Sequence, residues 1–312
     1  MLDKNWILKS KPTIEEINEL QSSLGIHPSL CALLIQRGIK TFDEAKRFFR
    51  PDKNLIHDPF LMKGMAEAVA RIGEAFGNGE RIMIYGDYDV DGTTAVAMVY
   101  SFFLDFYDNL VYYIPDRYEE GYGISFKSID HAKKEGITLI IALDCGIKAV
   151  KKVAYAKEKG IDYIIGDHHL PGDTVPDGII LNPKQVDCNY PFKELSGAGV
   201  GFKLLQGFCK RNDIDIQKAN EYLDLLAISI GADMVPIQNE NRVLAQYGME
   251  KLNAQPTLGI KAILNHAKID RTINMRDIGF AIGPRINAAG RIAHASKAVS
   301  YTHLTLPTTP YV

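Results

Sequence analysis

A short apolar run, Ile82-Met83-Ile84-Tyr85-Gly86, passes directly into Asp87-Tyr88-Asp89-Val90-Asp91-Gly92. The apolar run reads as a buried strand. The segment after it, Thr93 to Leu104, reads as a helix. Three carboxylates therefore crowd the carboxyl end of a strand, where open α/β sheets bind their ligands. Carboxylates this close raise one another's pKa unless a cation sits among them, so the stretch points to a metal site. Two other readings compete. An aspartate-glycine stretch can be a solvated turn. Asp87, Asp89, Asp91 and Gly92 also fit positions 1, 3, 5 and 6 of an EF-hand, but position 12, which should be glutamate, is Met98. With a strand rather than a helix before it, the calcium loop is excluded. A choice between turn and metal site needs ligands from elsewhere in the chain.

The pattern around this stretch alternates. Helices are expected over Met65 to Phe76, Ser125 to Glu135 and Lys148 to Lys159, and strands over Leu110 to Ile114, Leu139 to Leu143, Tyr163 to Ile165 and Ile179 to Leu181. Such alternation with short loops predicts an α/β fold, a parallel sheet covered by helices on both faces. Helices over Gly199 to Cys209 and Glu221 to Ile230 complete the segment 61–235, read as the catalytic domain. Before it, residues 1–60 read as a helical N-terminal segment that flanks the catalytic part, with a capping box at Thr13 and Glu16, Pro28 opening a second helix and Thr41 a third. After it, residues 236–298 read as a helical connector, with helices over Asn241 to Leu252 and Thr257 to Ala267. Residues 299–312 lack charge and are rich in threonine and proline, and read as a non-native tail, an expression scar or read-through of a truncated gene.

Three further clusters stand at element ends. Leu143 is followed by Asp144-Cys145-Gly146, Gly166 by Asp167-His168-His169, and the helix ending near Ile230 by Gly231-Ala232-Asp233. Each alone reads as a helix cap or a loop residue. Together, with no lysine or arginine next to them in sequence, they supply the missing ligands. Asp89, Asp91, Asp144 and Asp233 carry four negative charges, which matches two divalent cations, and carboxylates mixed with imidazole suit Mn²⁺, or Mg²⁺. Two such ions activate water against a phosphoryl group.

Composition limits the alternatives. The net charge of −2 names no partner, though a local basic channel remains compatible with nucleic acid. The four cysteines form no CxxC pair, which points to free thiols in a reducing compartment. With no run of 18 apolar residues and no signal core, the chain is expected in the cytoplasm, with no membrane partner. No GxxxxGK[ST] loop occurs. Gly197-Ala198-Gly199-Val200-Gly201 lacks dinucleotide spacing and reads as a tight loop whose N–H groups face a phosphate. Cys145, among acids that disfavour a thiolate, reads as packing, and the lysines of 148–159 as a solvated face.

In order and setting, the motifs Asp87-Tyr88-Asp89-Val90-Asp91-Gly92, Asp144-Cys145-Gly146, Asp167-His168-His169 and Gly231-Ala232-Asp233 resemble those of the DHH phosphoesterase superfamily. Within it, Pro115 to Gly123, Ser196 to Gly201 and Pro284-Arg285-Ile286-Asn287-Ala288-Ala289-Gly290-Arg291 resemble the RecJ-type exonucleases, and the likeness covers about residues 10–298. The resemblance implies 5′→3′ hydrolysis of single-stranded DNA in repair or recombination, with a helicase or single-strand-binding protein as partner. It makes Asp89, Asp91, Asp144, His168 and Asp233 metal ligands and Asp87 a ligand or near neighbour. By the same likeness His169 contacts the scissile phosphate, Arg117 holds a phosphate near the 5′ end, and Arg285 contacts the DNA backbone. Tyr85 stands where the superfamily's pyrophosphatases place a histidine. Family members of this type carry a second substrate-gripping domain and an OB-fold after this point, so the chain is expected to bind Mn²⁺ but to degrade DNA poorly. The alternatives are a phosphodiesterase for short oligonucleotides or cyclic dinucleotides, and a DNA-binding scaffold without catalysis, which the intact aspartates and histidines argue against.

Overall fold

The computed structural model describes residues 7–292, in two units that divide between Leu55 and Ile56. The tail at 299–312 and the last residues of the expected connector, 293–298, lie outside the described residues.

In the N-terminal unit the capping signals work as the sequence predicts. Thr13 and Glu16 form a reciprocal capping box at the start of α1 (Ile14–Leu24), which ends on Gly25 in the left-handed conformation. Pro28 opens α2 (Pro28–Ile35), and Thr41 with Glu44 caps α3 (Phe42–Phe49). Leu20, Cys31, Leu34, Ile35 and Ala45 form this unit's own small core.

The second unit opens with α4 (Met65–Gly77) and then alternates: β1 (Arg81–Gly86), α5 (Val90–Leu104), β2 (Leu110–Tyr113), α6 (Phe126–Lys134), β3 (Ile137–Leu143), α7 (Val150–Glu158), β4 (Asp162–Gly166) and β5 (Ile179–Leu181). The five strands are all parallel, in the order β2-β1-β3-β4-β5. Alternation along each strand divides the core in two, because successive side chains point to opposite faces. Ile82, Ile84, Leu139 and Ile141 pack on one side with α4, α5, α8 (Gly197–Arg211) and α10 (Leu223–Ala232), the latter two separated by the short α9 (Gln217–Asn220). Met83, Tyr85, Ile140 and Ile165 pack on the other with Ile129 and Ala132 of α6 and Val153 and Ala156 of α7. With both faces covered, the strands read as apolar runs rather than as alternating ones.

The remainder is helical: α11 (Asn239–Ala254), α12 (Leu258–His266), a short α13 (Met275–Asp277), a π-helical turn at Ile278–Ile282, and α14 (Gly283–Ile292) with Pro284 in its first turn. Among the described residues no helix is long and apolar enough to cross a membrane, and all four cysteines are buried and unpaired.

Two helices that shape the site begin earlier than the sequence suggests. α5 starts at Val90, not Thr93, because Asp89 is its N-cap, its Oδ1 accepting from Gly92 N–H at 2.9 Å. Asp91 and Gly92 thus lie inside the first turn. α8 starts at Gly197, not Gly199, because Ser196 caps it through a hydrogen bond from Gly199 N–H at 3.1 Å.

Candidate metal centre

Strand register sets the first row of the site. Gly86 pairs with Leu143, Leu143 with Gly166, and Gly166 with Leu181. The next residue on each strand is Asp87, Asp144, Asp167 and Asn182, so a polar row caps the carboxyl edge. The row continues the ladder: Asp144 N–H donates to Gly166 O at 2.8 Å and Asp167 N–H to Leu181 O at 3.0 Å. β1 and β3 are neighbours whose crossovers leave in opposite directions, which makes this the switch point where open sheets open a crevice. Asp144 sits there with φ of 60°, a left-handed backbone that few non-glycine residues adopt and that concentrates at functional sites.

Two helix ends close over the row. Asp89 caps α5 and Asp91 follows in its first turn. The Asp91 carboxylate accepts from Gly197 N–H at 2.7 Å, Ala198 N–H at 2.8 Å and the Ser229 hydroxyl at 2.7 Å, while Ser196 and Ser229 hydroxyls lie 2.6 Å apart. The N–H groups of Gly197 and Ala198 therefore face Asp91. This corrects the reading of that glycine-rich stretch as a phosphate-facing loop: it is the first turn of α8, and its amides and dipole hold a carboxylate of the protein itself. Asp233, the residue after α10, completes the ring.

His168 gathers these groups. Its Nε2 lies 3.1 Å from Asp144 Oδ1, 3.7 Å from Asp233 Oδ2 and 3.8 Å from Asp91 Oδ2. Yet Asp144 Oδ1 and His168 Nδ1, both buried, make no hydrogen bond. Asp91, His168 and Asp233 offer ligand atoms within 4.8 Å of one another, and so do Asp144, His168 and His169. Asp87 and Asp89 fall outside those two groups. Asp87 is fully buried, with Oδ1 accepting from Gly123 N–H at 3.2 Å and Oδ2 unpartnered.

His169 is oriented by Asp167, a role sequence reasoning missed. One Asp167 oxygen accepts from the His168 and His169 amides and stands 2.7 Å from His169 Nδ1, and the other accepts from Ile147 N–H at 2.9 Å. His169 Nε2 then lies 3.2 Å from the Tyr122 hydroxyl. The signal was present, since Asp167 begins the motif, but its partners are fixed through space. The same holds for Ser229.

Electrostatics shows what the cluster lacks. Burial, then the neighbouring aspartates, pushes Asp144 far above the carboxylate range and Asp89 up as well. Burial and Asp89 raise Asp87 to about 7; burial, Asp91 and Asp89 raise Asp233 to about 7. Burial lowers His168. The Asp167 hydrogen bond raises His169, and in return holds Asp167 low against its own burial. The sequence places no cation beside these motifs, but the fold brings in two: Arg117 acts on Asp87, and Lys184 on Asp233. They do not outweigh burial and repulsion. Unpartnered buried carboxylate oxygens beside an unpartnered imidazole form a donor set that fits divalent cations taking oxygen and nitrogen ligands.

The two expected DNA contacts lie differently. The Arg117 guanidinium stacks 4.2 Å over Tyr88, between Asp87 and Asp89 in sequence, and its Nε is buried without a partner. Arg285 is exposed on α14 and donates to Ala281 O at 2.8 Å; the helix packs at Gly283, where an added Cβ would lie 3.4 Å from Ala232. The Tyr85 hydroxyl donates to Gly123 O at 2.8 Å, on the residue whose amide meets Asp87. Cys145 is buried with its thiol pushed up, as packing requires. The lysines of α7 are surface groups, Lys157 pairing with Asp177 and Lys159 with Asp130.

Known proteins resemble this chain in sequence and fold. The chain is 41% identical over 291 residues to the single-stranded-DNA-specific exonuclease RecJ of Bacillus subtilis, covering 93% of this chain and 36% of that one. It is 37% identical over 311 residues to the protein of the same name from Escherichia coli, covering 95% and 53%. A crystal structure of RecJ in complex with Mn²⁺ from Thermus thermophilus superposes with a TM-score of 0.80 at 29% identity, over 95% of this chain and 42% of that one. The chain thus spans roughly a third to a half of these relatives. Residues 81–230 match the DHH family, N-terminal domain, from the first residue of β1 into α10, just short of Asp233. Sequence and fold agree, and residues 81–230 of this chain carry the N-terminal domain of the DHH family.

Proposed function

We propose that this protein hydrolyses phosphodiester bonds in single-stranded DNA, from the 5′ end, with two divalent cations, Mn²⁺ or Mg²⁺, held by Asp89, Asp91, Asp144, His168 and Asp233. The observation that carries this reading is the His168 imidazole with three carboxylates from three separate elements within 4 Å, and no hydrogen bond on Asp144 Oδ1. Bound there, such ions lower the pKa of water and polarise a phosphoryl group. The chain's own residues do the rest. Asp167 fixes His169 by Nδ1, so the ring's Nε2 is the atom that meets a phosphate oxygen and holds or gives a proton there. Asp87 keeps the Gly123 amide, and with it the Tyr122 loop, against the site. Arg117, braced on Tyr88, offers a guanidinium to a DNA phosphate, and Arg285 reaches the backbone from α14. All the proposed metal ligands fall within 61–235, the catalytic domain in this reading, which the helical connector follows.

A substrate that must be single-stranded calls for a helicase or a single-strand-binding protein to present it, and buried free thiols suit the cytoplasm. The test compares long 5′-phosphorylated single strands with dinucleotides and cyclic dinucleotides as Mn²⁺-dependent substrates. Release of nucleotides from the long strand, lost in Asp144→Ala and His168→Ala, is expected. Preference for dinucleotides, or cleavage that survives both substitutions, contradicts it.

A further inference from the structure

The N-terminal unit carries a groove of about 900 Å³, lined entirely by its own residues. Its apolar wall includes Leu30 and Leu33 of α2 and Phe42 and Phe49 of α3, which are 47–60% exposed. These same helices already bury Cys31, Leu34, Ile35 and Ala45 in the unit's core. α2, with the sequence Pro-Ser-Leu-Cys-Ala-Leu-Leu-Ile, is thus apolar on both faces, and a helix apolar all round is normally covered on all sides. A contiguous apolar patch on a surface marks a place where something binds.

Charge identifies the occupant. Among the described residues, the only charged side chains lining the groove are Arg37, Lys46 and Arg50. Two acids of this unit's helices are engaged elsewhere: Glu16 closes the α1 capping box and pairs with Lys40, and Glu44 accepts from the Lys40 and Thr41 amides. Arg37 donates to Leu33 O at 3.1 Å, which holds its guanidinium at the end of α2. An apolar floor of leucine, isoleucine and phenylalanine with a cationic rim complements an amphipathic helix that has an apolar stripe and acidic flanks.

We propose that α2 and α3 form a docking groove for an acidic amphipathic helix of a partner protein. The probe is a fluorescein-labelled helical peptide of about four turns, with leucines at the i, i+3, i+4, i+7 spacing and glutamates flanking them, titrated into the full chain by anisotropy. Saturable binding that weakens with salt is expected, and Leu33→Asp or Phe49→Ser should weaken it roughly tenfold or more. Reversing the rim with Arg37→Glu, Lys46→Glu and Arg50→Glu, all outside the core, should abolish binding of the glutamate peptide and create binding of its lysine-flanked counterpart. Equal affinity for both peptides in the unaltered protein overturns the proposal. So does binding of oligothymidine that falls with the same substitutions, which makes the occupant DNA. A dimer that Leu33→Asp dissociates, with no peptide bound, also overturns it, because the occupant is then a second copy.

Discussion

At the scale of the residue, the centre is a set of carboxylates held where they repel. Asp87 and Asp233 stand at about 7 when no cation shares the site. A carboxyl whose pKa is raised on folding binds more protons in the folded than in the unfolded state, between its ordinary pKa of about 4 and about 7. Metal-free protein should therefore lose stability as pH rises through that window. Cations compete with those protons, so stabilisation by Mn²⁺ should grow over the same window. Thermal melts in chelator and in Mn²⁺ between about pH 5 and 8 check both directions. Melting temperatures that rise with pH in chelator would contradict the first. The gathering of Asp91, Asp144 and Asp233 around His168 was legible in the sequence because each stands near the end of an apolar run or helix; Asp89 caps α5 beside that group. Ser229 and the Gly197 and Ala198 amides were not, since they meet Asp91 from elements distant in sequence; nor was the role of Asp167, since an aspartate next to two histidines does not show which ring it holds.

At the scale of the element, the site depends on how closely helix ends approach strand ends. Gly92, in the first turn of α5, has no room for a side chain: an added Cβ would lie 2.4 Å from Asp87 O and 2.6 Å from Asp87 N. At Gly197 it would lie 2.5 Å from the Asp144 side chain. Gly92→Ala must push α5 away from β1 and should cost about 1–3 kcal/mol, read by denaturant unfolding. It should also weaken Mn²⁺ binding, because Asp89 and Asp91 ride on the displaced turn. Unchanged stability and binding would mean that the approach is not tight. Alternating apolar runs announced these elements, but the N-caps Asp89 and Ser196 sit among other turn-forming residues, and only packing shows which of them opens the helix.

At the scale of the whole molecule, the parallel sheet was legible from its alternation, and the order β2-β1-β3-β4-β5 accounts for why residues far apart in sequence meet at one edge. What the alternation did not show is the bracing behind the sheet. Lys203 of α8 and Glu240 of α11 are fully buried and 2.9 Å apart; Tyr190 donates to Glu240 at 2.7 Å, and Lys203 donates to His57 O at 2.6 Å. The same helix α8 presents Gly197 and Ala198 to Asp91 at its other end. Removing one member leaves a buried charge unpaired, so Glu240→Ala should destabilise the protein by about 3–5 kcal/mol. Replacing both members with methionine should restore much of that in the same unfolding assay. The central claim is that the aspartates and His168 at the sheet edge form a binding site for divalent cations. Calorimetric titration of the chelator-treated chain with Mn²⁺ tests it most directly. Two ions per chain are expected, with Asp144→Ala and His168→Ala each abolishing or severely weakening uptake while the fold is retained. Uptake by both variants equal to that of the unaltered protein, or none by the unaltered protein itself, would contradict the account.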